Sequence, residues 1–211
     1  MKRYDCLEAM LPLVREEDLV VTNLGRVRDE WQALRPTEGN YNVFVLGLCS
    51  SVGLGLALSL PHRRVIVLDS DGSLLVNLPT LTTIADQNPA NLVHIVFDNQ
   101  AYESAGGGPT HTANRADLAR IAQGAGFENA VGVDSLEHFR AMVEQALGGR
   151  ELFFIAAKVE LASAAVPSNP YDAMETTYRF MRHLEKLEGK PLLSLAPPAY
   201  AIPAHLGWGQ H

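Results

Sequence analysis

Two short segments of this chain carry oxygen-bearing side chains at a spacing that chemistry could use. Asp69-Ser70-Asp71-Gly72-Ser73 follows the apolar run Val65-Ile66-Val67-Leu68, and Phe97-Asp98-Asn99-Gln100-Ala101-Tyr102 closes a second apolar run, Leu92 to Phe97, roughly two dozen residues later. Short apolar runs bounded by turn residues read as buried strands, and ligands of open α/β sheets gather at the carboxyl ends of strands. Asp71 and Asn99 would then present two hard oxygens at the mouths of neighbouring strands. Gly72 and Ser73 would open a helix whose free amides can receive a phosphate. Mg²⁺ suits such a pair, because it takes few protein oxygens and completes its octahedron with phosphate oxygens and water. Either half alone is a common Asp-Gly or Asp-Asn turn. Together, in a strand-loop-helix setting, they point to a metal-bound diphosphate.

The elements that must position these residues alternate along the chain. Strands are expected at 19–22, 43–46, 65–68, 92–97, 130–133 and 152–159, and helices at 50–59, 75–87, 115–123, 135–147 and 173–187. Continuous apolar strands suit a sheet covered on both faces, and strand-helix alternation predicts parallel pairing through right-handed crossovers. The expected fold is therefore α/β, a single doubly wound parallel sheet of about six strands with helices on both faces. Ser135 supplies an N-cap and Gly148-Gly149 a stop for one helix, while Pro61 and Pro89 mark helix-to-strand turns. Ser104 to Thr112, with its run of glycines, reads as a mobile loop directly after the proposed metal site. Residues 1–189 read as one domain and 190–211 as a proline-rich C-terminal tail.

Composition narrows the classes. At 211 residues the chain suits one medium domain, and 47% hydrophobic residues is ordinary for a globule with a buried core. A net charge of −7 without a basic stripe argues against a nucleic acid or an anionic membrane as partner. The amino terminus lacks the apolar core of a secretory leader, and no apolar run reaches the roughly 18 residues of a membrane span. Two cysteines, Cys6 and Cys49, do not make a disulfide framework and favour a reducing, cytoplasmic setting. A dinucleotide fold is disfavoured, since Gly53-Leu54-Gly55 lacks the third glycine of the fingerprint and precedes its strand.

The Asp71–Asn99 pairing resembles the cofactor motif of thiamine-diphosphate enzymes, a Gly-Asp-Gly followed about two dozen residues later by Asn. Leu24-Gly25-Arg26, Ser51 to Ala57, Ser73 to Leu78, Ala101 to Gly107 and Gly108-Pro109-Thr110-His111-Thr112 are similar to the sulfopyruvate and phosphonopyruvate decarboxylase group, over roughly residues 5 to 160. The match is to the half that holds the diphosphate, which in two-subunit sulfopyruvate decarboxylases is a separate β subunit. The resemblance implies thiamine diphosphate and Mg²⁺ as cofactors. It implies Asp71, Asn99 and the Ala101 carbonyl as metal ligands, with Gly72 and Ser73 at the phosphates. It assigns Gly47-Leu48-Cys49-Ser50 to the aminopyrimidine edge, through the Gly47 carbonyl and the Cys49 amide, with the Cys49 side chain as a prop and Leu48 beside it. Tyr102 and Glu103 fall on the loop at the thiazolium end, with Ser104, Thr110 and His111; His111 and Glu103 are the candidate catalytic groups, His111 as a proton donor or a contact for an acidic substrate group. Arg26 and Arg28 could meet a sulfonate or phosphonate. Ser70 replaces the family's first glycine, and Cys49 is smaller than the usual prop.

The family's proton-transfer glutamate comes from a pyrimidine-binding domain that has no counterpart here. The implied assembly is therefore with a second subunit that carries it, acting on a small 2-oxo acid, with a homo-oligomer expected for the chain alone. Acetolactate-synthase-like carboligation and a non-catalytic cofactor-binding or regulatory subunit remain as alternatives.

Overall fold

The computed structural model describes residues 1–192, so the proline-rich stretch beyond Leu192 lies outside the described residues. Six strands form one all-parallel sheet in the order β2-β1-β3-β4-β6-β5. They are β1 (Leu19–Thr22), β2 (Asn40–Asn42), β3 (Val65–Ser70), β4 (Leu92–Asp98), β5 (Asn129–Val133) and β6 (Phe153–Lys158). Eight helices accompany them among the described residues: α1 (Arg3–Met10), α2 (Arg26–Leu34), α3 (Cys49–Ser59), α4 (Asp71–Val76), α5 (Thr80–Gln87), α6 (Leu118–Ala125), α7 (Leu136–Gly148) and α8 (Ala173–Glu188). The expected doubly wound sheet is present.

Alternation along the strands sorts the core into two layers. Val65 and Val67, with Leu92 and Val96, face α3, α5, α6 and α8, whereas Ile66 and Leu68, with Val93, Ile95 and Phe97, face α1, α2 and α7. The central strands β3 and β4 pair along their length, Val65 with Leu92 through Ser70 with Phe97, so their ends emerge side by side. That register brings Asp71 next to the Asp98–Asn99 turn.

Four expectations change. The strand expected at 43–46 forms at 40–42 instead, and Val45 and Leu46 are exposed beyond it. The helix expected at 75–87 is two helices, broken at Asn77-Leu78-Pro79, the first of which begins at Asp71 itself. Helices α1 and α2 form where no helix is expected, packed through Cys6, Leu7, Met10, Val27 and Trp31. Ser104 to Thr112 folds back as a small hairpin, closed by an antiparallel bridge between Ala101 and Pro109.

Helix α3 lies close against β3 because Gly53 presents no side chain to Val67; a Cβ there would overlap the Val67 methyl group. Gly53→Ala is expected to destabilise the chain by about 1–3 kcal/mol, the usual cost of overpacking. Urea unfolding should show a lowered midpoint with an unchanged m value. No helix among the described residues is long and apolar enough to cross a membrane.

Candidate functional site

A cleft opens at the carboxyl ends of β1, β3 and β4, between the turns that follow them. Its walls include Asn23 and Arg26 after β1, Ser70, Gly72 and Ser73 after β3, and Asn99, Ala101, Tyr102 and Glu103 after β4, with Arg3 and Leu46 closing the sides. A second hollow at the opposite, amino-terminal ends of the strands involves Arg63, Arg64 and Arg150, but these guanidinium groups are already bonded to Glu188, Asp18 and backbone carbonyls. The strand-end cleft is the one that gathers the chemistry.

Asp71 sits just behind the cleft wall, at the start of α4, and is fully buried. Its Oδ2 accepts from Thr110 Oγ1 at 2.6 Å and Thr112 Oγ1 at 3.3 Å, while its Oδ1 is buried without a hydrogen-bond partner. Burial pushes the carboxyl pKa up and Asp98 nearby adds to that, while the Thr110 hydroxyl, the Gly72 amide and the Thr112 hydroxyl oppose it. An unmatched buried carboxylate oxygen is costly unless something else meets it. A divalent cation is the chemistry that fits.

The turn after β4 is built to aim Asn99. Gln100 adopts the left-handed conformation, φ 62°, held by its amide donating to Asp98 Oδ1 at 3.1 Å and its side chain donating to the Thr112 carbonyl at 3.1 Å. Asp98 also accepts from Thr112 Oγ1 at 2.6 Å and pairs with Lys158 at 2.5 Å. Asn99 accepts from the Ala101 amide through Oδ1 and donates through Nδ2 to Glu103, each at 3.1 Å. The donors available to a cation are thus a carboxylate, a side-chain carbonyl and a backbone carbonyl, all hard oxygens. No three acidic, histidine or cysteine side chains converge into a metal cage among the described residues. Mg²⁺ held partly by phosphate oxygens needs no such cage.

Gly72 is required by what covers it: a Cβ there would lie 2.8 Å from the Tyr102 ring. Ser70 has extended backbone, φ −126°, which any residue adopts, so serine fits where the resemblance places glycine. Its hydroxyl caps α4 by accepting from the Ser73 amide at 3.3 Å, and accepts from Asn23 Nδ2 at 2.7 Å. Gly47, with φ 81°, is pinned on both sides of its peptide: its amide donates to Ser73 Oγ at 3.2 Å and its carbonyl accepts from Asn77 Nδ2 at 2.9 Å. The segment expected at the aminopyrimidine is thereby fixed to the segment expected at the phosphates.

The structure corrects the role expected for the Cys49 side chain. Cys49 is fully buried, its thiol directed at the Val21 and Leu68 carbonyls, and burial pushes its pKa well above the usual range. It props the core. From this segment the apolar side chain that reaches the cleft is Leu46, and Leu48 is exposed beside it. His111 is exposed in a single 3-10 turn and is not part of the cleft wall. Arg26 lines the cleft while bonded to Asp29 and the Ala164 carbonyl; Arg28 instead lies over the Phe44 ring.

Several contributing residues escape a reading of the sequence. The role of Thr110 and Thr112 as donors to Asp71 is one: Thr110 caps the 3-10 turn His111–Ala113 and Thr112 lies inside it, so the turn, not a strand alternation, brings both hydroxyls to the carboxylate. Asn77 sits in a turn with nothing local to mark it. Arg3 is 4% exposed and bonds in bidentate fashion to the fully buried Glu30, at 2.7 and 3.2 Å, while its other nitrogen reaches Glu103 at 3.1 Å. A buried arginine in a polar amino-terminal segment leaves no trace in hydropathy.

Residues 31–157 match the family described as thiamine pyrophosphate enzyme, C-terminal TPP binding domain. The chain is 35% identical over 186 residues to a Methanocaldococcus jannaschii protein named sulfopyruvate decarboxylase subunit beta, covering 88% of this chain and 98% of that one. The protein of the same name from Methanothermobacter thermautotrophicus is 36% identical, with 87% and 96% covered. A Streptomyces viridochromogenes phosphonopyruvate decarboxylase is 34% identical over 146 residues, 69% of this chain and 36% of that protein. In fold the chain is similar to benzoylformate decarboxylase from Polynucleobacter necessarius, with a TM-score of 0.64 at 17% identity, over 78% of this chain and 34% of that one. It spans about a third of that solved chain.

Proposed function

The chain belongs to the thiamine pyrophosphate enzymes, whose C-terminal cofactor-binding domain it carries, and on that premise we propose that it is the diphosphate-binding subunit of a 2-oxo acid decarboxylase acting on sulfopyruvate or phosphonopyruvate. The observation that carries this reading is the span of the similarity. The chain matches a separate β subunit over 98% of that protein's length, but only about a third of a solved decarboxylase chain. In this reading the chain holds the cofactor's charged end and a second polypeptide completes the site.

Bound thiamine diphosphate supplies the nucleophilic carbon and the electron sink that a 2-oxo acid needs to lose carbon dioxide. The residues of this chain anchor and orient it. Asp71 and Asn99, with the Ala101 carbonyl, would hold the cation, which would meet the Asp71 oxygen that lacks a hydrogen-bond partner. Gly72 and Ser73 line the cleft where the phosphates would lie, under the Tyr102 ring. Leu46, rather than Cys49, takes the place of the apolar prop. Arg26 is the cleft-wall cation suited to the sulfonate or phosphonate of the substrate. Val45, Leu48 and Val76, each between 42% and 58% exposed, provide an apolar rim beside the cleft for the second subunit, which would bring the proton-transfer glutamate.

The test is carbon dioxide release from sulfopyruvate and from phosphonopyruvate, measured for this chain alone and with a separately expressed pyrimidine-binding subunit. Turnover by the lone chain is expected to be about 10²–10⁴-fold below that of the pair, the usual cost of a missing acid or base. Full activity from the lone chain overturns the two-subunit reading. Tight cofactor binding without turnover in either case favours a regulatory subunit.

A further inference from the structure

The Asn99 side chain is useful to a cation only when its oxygen, and not its nitrogen, faces the site. The two ends of a carboxamide have nearly the same shape, so packing alone does not choose between them; the hydrogen-bond network must. Two contacts choose here: the Ala101 amide donates to Asn99 Oδ1 at 3.1 Å from one end, and the partner of Asn99 Nδ2 decides from the other. Asn99 Nδ2 donates to Glu103 Oε2 at 3.1 Å, and a carboxylate offers only lone pairs, so it accepts the amide nitrogen and rejects the oxygen.

Glu103 is itself held against rotation. Its Oε2 also accepts from Arg3 Nη1 at 3.1 Å, and its Oε1 accepts from the Ser163 hydroxyl. Arg3 is clamped from behind by two bonds to the fully buried Glu30, and it donates a further bond to Ser163 at 3.2 Å. Glu30 in turn accepts from the Ala164 amide at 2.8 Å. Helices α1 and α2, the turn after β4 and the segment after β6 therefore converge on one carboxylate.

We propose that Glu103 is a positioning residue for the cation site, setting the Asn99 amide so that its oxygen faces the metal, with Arg3 and Ser163 fixing Glu103. This rests on the proposed cofactor site. It gives Glu103 work that is complete before substrate arrives, in place of the proton transfer expected of it. Groups that orient a metal ligand from behind typically govern affinity by 10–100-fold.

The inference has a sharp test, because an aspartate has no wrong way round. Mn²⁺ is titrated into the full chain with thiamine diphosphate, and the paramagnetic signal of free Mn²⁺ reports binding. Glu103→Gln, whose amide can accept either end of Asn99, is expected to weaken Mn²⁺ binding about tenfold. In an Asn99→Asp background the same Glu103→Gln change is expected to be neutral or to strengthen binding, since it then relieves repulsion between two carboxylates. Equal weakening in both backgrounds would mean that Glu103 acts only through its charge or through general stability, and overturns the proposal, as does no effect in the Asn99 background. Asp71→Ala and Asn99→Ala separate the layers. If neither changes Mn²⁺ affinity, or if the unaltered chain binds no Mn²⁺, the cation site itself falls; if both weaken binding and the Glu103 cycle fails, only the positioning role falls.

Discussion

Asp71→Asn is expected to abolish metal-dependent cofactor binding while making the metal-free chain more stable. Removing a liganding carboxylate should weaken Mg²⁺-supported thiamine diphosphate binding by about 100-fold or more, beyond what loss of an outer-shell group costs. The opposite effect on stability follows from the same burial. Asp71 is fully buried with one unmatched oxygen, and burial and the neighbouring Asp98 raise its pKa above the usual 3.8. A carboxyl whose folded pKa is raised favours the fold when protonated, and that contribution is lost as pH rises through the raised value. At neutral pH the charged group therefore opposes folding. The neutral amide keeps an acceptor for Thr110 and Thr112 and removes the charge from beside Asp98. A gain of about 1 kcal/mol, or roughly 2–4 °C in melting temperature, is expected without metal. Calorimetric melting with and without Mg²⁺ and thiamine diphosphate reads both effects. The ligands should raise the melting point of the native chain and leave that of Asp71→Asn unchanged. A destabilised variant that still responds to the ligands contradicts this account.

Arg3→Ala should have the largest effect on stability of any single change outside the apolar core. It leaves Glu30, which is 0% exposed, with its charge unpaired, and removes a bond from Glu103. Breaking a buried pair by deleting one partner costs about 3–5 kcal/mol, because the surviving charge stays desolvated. For a chain of this size that is a fall of about 10 °C or more in melting temperature. Deleting both charges is less harmful than deleting one, so Arg3→Met with Glu30→Gln should recover a large part of the loss. A single Arg3→Ala variant that melts near the native temperature would show that water reaches Glu30 freely.

The sheet was legible because its central strands are covered on both faces. Val65 to Leu68 is an uninterrupted apolar run, and Leu92 to Phe97 is apolar but for the buried His94. The same criterion misplaced the edge strand. Val43-Phe44-Val45-Leu46 is as apolar as a strand, but its hydrophobicity serves the cleft and its rim, while the strand beside it is the polar Asn40-Tyr41-Asn42, read only through its pairing with β1. Helices α1 and α2 were hidden by the assumption that charge means solvent. Arg3 and Glu30 are buried because they satisfy each other, Asp29 because Arg26, Arg28 and the Asn169 amide satisfy it, and the 163–169 segment completes both sets through tertiary structure. Asp71 and Asn99 stood out because strand ends and turn chemistry coincide there. The Cys49 side chain was misplaced for a local reason: α3 starts at Cys49, whose thiol turns inward against the sheet, while Leu46 and Leu48, which precede the helix, stay outside.

The strand order bears on how the chain matures as it leaves the ribosome. β1 to β4 are contiguous both in space and in sequence, so Asp71 and Asn99 can take their places once about half the chain has emerged. β5 is synthesised next but bonds only to β6, which must slot between it and β4. Until residues 153–158 are free of the exit tunnel, one edge of β4 and the whole of β5 present unpaired backbone, the kind of edge that recruits other chains. Ribosome stalling between β5 and β6 is accordingly the stage at which the chain is expected to associate most readily with others, and the last of the described strands to be made is the one that joins β5 to the sheet.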